Sequence, residues 1–111
     1  MAIDLNRKLT LEERSQTPDG AGGYVAGWSQ VGTLWAKFEA RSGRVVAHDE
    51  VAGSRQTVRI IVRAAPVGAP SRPRAGQRFT QSNRVFGIKA VTELDRNGLY
   101  LSCQVEEELA T

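Results

Sequence analysis

The sequence predicts a mainly β protein: a small antiparallel β-barrel or sandwich of six to seven strands, with one long irregular loop at about residues 41–56. Three observations predict it. Apolar and polar residues alternate over several short stretches, the two-residue period of a half-buried strand. Glycine and proline punctuate the chain between those stretches. No stretch holds a helical period for more than a turn or two. The 111 residues make a single domain spanning 1–111. A compact globule of that length has a radius of gyration of roughly 13 Å and a thin core.

The first strand is expected over Leu5 to Gln16, where Leu5, Arg7, Leu9, Leu11 and Glu13 share one side. Thr17-Pro18-Asp19-Gly20-Ala21-Gly22-Gly23 is a loop, because proline fixes φ and glycine accepts positive φ. Tyr24 to Gln30 forms a second strand and Val31 to Ala40 a third. In the third, Leu34, Ala36, Phe38 and Ala40 face one way, and Trp35 sits at a covered margin of the other. A helix over Thr33 to Arg41 is the rival reading; Gly32 and the aromatics favour the strand.

Arg41 to Gln56 breaks the pattern. Its central piece, Arg44 to Ala52, is bracketed by Ser42-Gly43 and Gly53-Ser54 and is compatible with a short helix, a projecting hairpin or a mobile loop. Loops of this length in small domains are usually functional or disordered. Thr57 to Arg63 carries the strongest strand signal, with Val58, Ile60 and Val62 opposite Arg59, Ile61 and Arg63. Pro66, Pro70 and Pro73 make Ala64 to Gly76 an irregular connection. A short strand follows around Phe79, a turn at Asn83-Arg84, and a strand over Val85 to Leu94 with Phe86, Ile88 and Ala90 on one face. Asn97-Gly98 has the signature of a two-residue hairpin turn. Leu99, Leu101, Cys103 and Val105 form the apolar face of the last strand.

Composition and charge narrow the function. The formal net charge is +3, unevenly spread. Between Arg41 and Lys89 ten basic residues face only Asp49 and Glu50, giving +8; the remaining five basic and ten acidic residues give −5. A basic segment of this kind attracts polyanions or an acidic partner, or forms a solvated arginine-rich face. No apolar run is long enough for a membrane helix, and the start lacks the basic-then-apolar order of a signal peptide. Assembly in the cytosol is expected. One cysteine, Cys103, excludes an internal disulfide and is expected to be buried. One histidine, His48, leaves no metal-ligand set. Gly20 to Gly23 lack the Lys-Ser/Thr of a phosphate-binding loop. No cofactor, metal or catalytic group is therefore expected, and the protein reads as a non-enzyme.

Nucleic acid is the partner class that the charge suggests. Arg41, Arg44, Arg55, Arg59, Arg63, Arg72, Arg74, Arg78 and Arg84 suit sequence-blind phosphate contact. A single-strand binder needs stacking aromatics among them. The segment offers only Phe79 and Phe86, both at core positions.

Several segments, in their order and spacing, resemble the small head-completion proteins of tailed phages, also called head–tail joining, head-closure or stopper proteins, and the similar components of gene transfer agents. Leu5-Asn6-Arg7-Lys8-Leu9-Thr10-Leu11 resembles the family's opening strand. Asp19-Gly20-Ala21-Gly22-Gly23, then Trp28, Val31 and Trp35-Ala36-Lys37-Phe38-Glu39, resembles its Asp-x-x-Gly-Gly and Trp-Ala segment. Gly43 falls where the family carries a glycine before a variable loop. Thr57 to Arg63, Arg78-Phe79 with Asn83 to Val91, and Leu99 to Glu106 resemble its remaining strands. Ile61 stands in a slot often held by arginine, Asn83 replaces a turn glycine, and the proline-rich connection is longer than in many relatives.

The resemblance implies a β-barrel subunit of a homo-oligomeric ring of six or twelve, in the neck of a phage-like virion assembled in the bacterial cytoplasm. Its partners would be the portal and adaptor rings on the head side, the tail terminator or tail on the other, and the packaged DNA end through non-specific contact. The ring would close the DNA channel and dock the tail. A tail terminator or tail-tube component, or a stand-alone nucleic-acid-binding barrel, are the competing readings. Rings arise from heterologous contacts that close by rotation; the opposed charge blocks favour such head-to-tail pairing, and exposed strand edges can extend sheets between subunits. The loop residues expected to face the lumen or a partner are Arg41, Arg44, Val45, Val46, His48, Asp49, Glu50 and Arg55. The basic residues expected to contact DNA or a neighbouring subunit are Arg59, Arg63, Arg72 and Arg74.

Overall fold

The computed structural model describes residues 3–40 and 55–108. Six strands follow one another: β1 (Arg7–Pro18), β2 (Tyr24–Ala40), β3 (Arg55–Arg63), β4 (Arg78–Gln81), β5 (Arg84–Glu93) and β6 (Tyr100–Glu108). All pairings are antiparallel, and the sheet closes on itself in the order β1-β2-β3-β6-β5-β4. The described residues contain no helix, which removes the rival reading of Thr33 onward. The closure between β1 and β4 is short, running from Thr10↔Thr80 to Glu12↔Arg78.

Strand alternation builds the core. Leu9 and Leu11, Ala36, Ile60 and Val62, Phe79, Phe86 and Ile88, and Leu101, Cys103 and Val105 all point inward and are buried. Phe38 lies edge-on to Phe86, with ring centroids 5.1 Å apart at 87°. The inward faces expected from Val58, Ile60 and Val62 and from Leu34, Ala36 and Phe38 are the observed ones.

Bulges account for most of the differences from expectation. The expected second and third strands are one continuous β2, in which Val31 is an extra residue: Leu11 pairs with Gly32 but Glu12 with Gln30. The apolar alternation slips by one residue there, so the segment reads as two strands in sequence although β1 runs alongside it from Tyr24 to Ala36, on both sides of the bulge. A second bulge at Lys89 lets Ala90 pair with Gln104 and turns Val91, instead of Ala90, toward the core. β3 begins at Arg55, not Thr57, because Arg55 and Gln56 still pair with Glu108 and Glu107.

Two turns also differ. The β4–β5 turn is centred on Ser82, the one non-glycine with positive φ (53°) among the described residues, and Arg84 already belongs to β5. Asn97-Gly98 is not a two-residue turn. Asp95 organises a longer loop: its carbonyl accepts Gly98 N–H and its carboxylate accepts Leu99 and Tyr100 N–H, so only Gly98 needs positive φ (65°). That loop leaves Leu99 half exposed, outside β6 and outside the core.

The molecule is less compact than its length suggests, with a radius of gyration of 15.6 Å and extents of 53 × 38 × 21 Å. β1 and β2 cause this. Beyond Glu12 and before Ala36 the two strands pair only with each other, from Glu13↔Ser29 out to Pro18↔Tyr24. At about 3.3 Å per residue this two-stranded ribbon projects roughly 20 Å from the barrel.

Candidate assembly surfaces

Four surfaces present chemistry, and the barrel positions each. The first is the barrel end where β2 ends at Ala40 and β3 begins at Arg55. Phe38 and Phe86 close the core there, and arginines cover them: Arg7 lies 4.6 Å from the centroid of Phe38, and Arg84 lies 5.6 Å and 5.0 Å from Phe38 and Phe86. Arg84 forks onto Glu107, with Nε–Oε2 at 2.7 Å and Nη2–Oε1 at 2.9 Å. The Arg84 hydrogen bonds hold the Glu107 carboxyl below its usual range, and Glu107 in turn raises Arg84. Bidentate geometry over an aromatic floor fixes a charged lid on the core.

The second surface is the outer face of β2, β3 and β6. Ile61 faces outward yet is buried, as are Ser102 and Tyr100 beside it. The residues preceding β1 reach this face: Ile3 N–H donates to the Tyr100 hydroxyl at 3.5 Å, and Ile3 and Leu5 are half-buried. Arg63 lies over the Tyr100 ring at 5.6 Å. Arg59 bonds Glu39 at 3.3 Å, and Glu39 also lies 3.9 Å from Lys37. Trp35, expected at a covered margin, is 55% exposed. Its cross-strand partner is Lys8, and Lys37 lies two residues along the same strand face.

The third is the β1–β2 ribbon. Its base is clasped on the outer side by Trp28, with Arg78 at 4.1 Å and Arg14 at 5.3 Å from the ring, and Arg78 also bonds Glu12 at 2.7 Å. Its tip is ordered by Asp19, whose Oδ1 accepts Ala21 N–H at 2.8 Å and Gly23 N–H at 3.0 Å. Those two bonds lower the Asp19 pKa and keep it ionised. Gly20 and Gly22 supply the positive φ that the tip requires (83° and 87°). Tyr24 and Val25 stand exposed there, at 67% and 59%.

The fourth is the connection between β3 and β4, irregular as expected. Pro73 and Gln77 are buried within it; Gln77 Oε1 accepts Arg74 N–H at 2.7 Å. A shallow groove of about 260 Å³ separates this connection from the ribbon, lined by Val31, Ala69, Pro70 and the Arg74–Glu13 pair.

The expected site residues fall unevenly on these surfaces. Arg41, Arg44, Val45, Val46, His48, Asp49 and Glu50 lie outside the described residues; Arg55 starts β3. Arg59 and Arg63 share the outer face of β3. Arg72 and Arg74 are not with them: Arg72 donates to the Ala65 carbonyl at 2.9 Å, and Arg74 pairs with Glu13 at 3.4 Å. The charge blocks largely meet inside the molecule. Arg59, Arg74, Arg78, Arg84 and Lys89 bond or approach Glu39, Glu13, Glu12, Glu107 and Glu106, each joining the basic segment to the acidic remainder. Sheet closure likewise leaves free strand edges chiefly along the ribbon. Cys103 is buried as expected, and burial pushes its thiol up to about 12. Among the described residues no cluster of His, Cys, Asp or Glu is arranged to hold a metal, and no helix is long and apolar enough to cross a membrane.

The ribbon and the exposed Trp35 were not singled out by sequence reasoning. The available signal was the length of matched alternation on both sides of Asp19–Gly23, which exceeds what a barrel of this size accommodates.

Comparison with known proteins gives a consistent result. No curated protein matches the chain. A chain from the virion of a native gene transfer agent particle is 43% identical, with 99% of this chain and 100% of that one covered at a TM-score of 0.71. The solution structure of protein SF1141 from Shigella flexneri 2a shares the fold at 22% identity and a TM-score of 0.66, with 96% of each chain covered. The model of the phage head completion protein family matches residues 1–108. With these six strands, that near-complete match makes the chain a member of the phage head completion protein family, whose role is structural.

Proposed function

We propose that this chain assembles as a homo-oligomeric ring in the neck of a phage-like particle such as a gene transfer agent, where it closes the DNA channel after packaging and offers a docking surface to the tail. The observation that carries this reading is the end-to-end similarity, at 43% identity, to a chain of a gene transfer agent virion. The fold suits the role. The closed barrel, with Arg84 forked onto Glu107 across one end, carries charged and aromatic groups on its outer surfaces that suit contact with other subunits. Portal and adaptor rings are the partners on the head side and the tail terminator or tail on the other.

β2 ends and β3 begins at the lidded end, and in this reading Arg41, Arg44, Val45, Val46, His48, Asp49 and Glu50, between them in sequence, face the lumen or the adaptor. Arg59 and Arg63 face a neighbouring subunit or the DNA end, and Arg74 and Arg72 flank the opposite end. Deletion of Val45–Ala52 tests the channel-closing part. The variant should fold and be recruited to filled heads that then leak DNA, read as nuclease-sensitive DNA in purified particles. Full DNA retention with the variant in place would overturn it.

A further inference from the structure

We propose that the tip of the β1–β2 ribbon of one copy docks on the Trp35 face of the next copy, a head-to-tail contact between two different surfaces of the same chain. This inference rests on the ring reading above and names the surfaces that would build the ring.

The two surfaces are complementary. Residues 16–27 contain a single charge, Asp19, kept ionised by backbone N–H groups at Oδ1, while Oδ2 stays available. Beside it Tyr24 and Val25 expose apolar surface at the end of a two-stranded ribbon. Such a ribbon is marginally stable without further packing, so it gains from a partner. The Trp35 face has the opposite sign. Trp35 is exposed at the centre, with Lys8 across the ladder, Lys37 along the strand and Arg63 one residue past Val62, which pairs with Ala36. Among the described residues Lys8 and Arg63 have no carboxylate partner, and Lys37 shares Glu39 with Arg59.

Aromatic and arginine residues are the commonest interface anchors. Tip and face lie on different parts of one molecule, so in a head-to-tail arrangement their contact is heterologous and propagates from copy to copy until rotation closes it. Contact of either surface with its own counterpart is disfavoured, because the tip has only negative charge and the Trp35 face an excess of positive charge. A reciprocal two-fold pairing of tip and face would give cross-linked dimers and no higher multiples.

The geometry supplies a clean test. Residues 24 and 35 lie on one strand, about 36 Å apart at ~3.3 Å per residue, so a short bis-maleimide cannot join them within one chain. Particles carrying the Tyr24→Cys/Trp35→Cys variant in place of the wild-type chain are treated with the cross-linker and run on a denaturing gel. The expected result is a ladder of dimers and higher multiples, with each single variant remaining monomeric; Cys103 is buried and does not react. Val25→Cys with Lys8→Cys reads the same contact through a second pair. Closed particles that contain the variants but yield only monomer from both pairs would overturn this contact and leave the ring reading standing. That is also the result if Trp35 contacts DNA. Dimers from a Tyr24→Cys or Trp35→Cys single variant would overturn it in favour of an isologous interface. Absence of the wild-type chain from particles would instead overturn the neck reading itself.

Discussion

Truncation of Phe86 to alanine probes the barrel core most directly. The ring is fully buried, pairs with Phe79 across the β4–β5 ladder, and stands edge-on to Phe38. Removing it loses the transfer energy of a buried aromatic and leaves a cavity that a closed sheet cannot easily collapse, a cost of about 3–5 kcal/mol. The edge-to-face contact supplies roughly 0.5–1.5 kcal/mol of that. Domains of this size are stable by about 5–15 kcal/mol, so Phe86→Ala should fold in dilute buffer and melt about 15 °C lower. Phe86→Leu preserves most of the volume and should cost only about 1–1.5 kcal/mol. Urea unfolding followed by far-ultraviolet circular dichroism separates the two. With a slope of about 1.5 kcal/mol per molar, the midpoint should fall by roughly 2–3 M for alanine and by less than about 1 M for leucine. Equal midpoints for the two variants, both within about 0.5 M of the wild type, would refute the packing argument, because a cavity-forming and a volume-preserving change cannot then differ.

Three further outcomes follow from named contacts. Lysine at position 90 should change stability by less than about 1 kcal/mol while lysine at 91 costs several times more, since the Lys89 bulge turns Val91 inward; equal costs in urea melts would place the bulge elsewhere. Glu107 has its folded pKa held below its unfolded value by Arg84, so its contribution is present above about pH 4.5 and is lost as pH falls through the lowered folded value. Glu107→Gln should therefore flatten the acid side of the stability profile below about pH 4.5, measured by urea midpoints, and an unchanged slope would count against the pair. Cys103 should resist iodoacetamide at pH 8 in the native protein and react fully in urea, because burial keeps its thiol protonated; native labelling at an exposed-thiol rate would contradict its place in the core.

The charge pattern shows how a linear reading misleads. Blocks of +8 and −5 along the chain suggest attraction between subunits, yet the antiparallel order sets the basic β3, β4, β5 and the β3–β4 connection against the glutamates of β1, β2 and β6. Five close pairs result within one molecule. Exposed pairs of this kind are each worth little, typically 0–1 kcal/mol; Arg78–Glu12 and Arg84–Glu107 differ by being partly buried and short. What is left for a partner is smaller and more localised: Lys8, Lys37 and Arg63 around Trp35.

The sequence by itself determined that the fold is β, that Leu9, Leu11, Ile60, Phe79, Leu101 and Cys103 make one core, and that the chain turns within Thr17 to Gly23, although Thr17 and Pro18 still pair as the end of β1. Those properties are local, because side-chain alternation and glycine φ are written into neighbouring residues. Only the tertiary structure decided that Tyr24 to Ala40 is one strand, that Val91 replaces Ala90 in the core, and that the ribbon stands clear of the barrel with Trp35 bare on its outer wall. Each of these depends on which distant strand lies alongside. A single extra residue in a ladder inverts every side chain beyond it, and the neighbour that absorbs that residue lies far away along the chain.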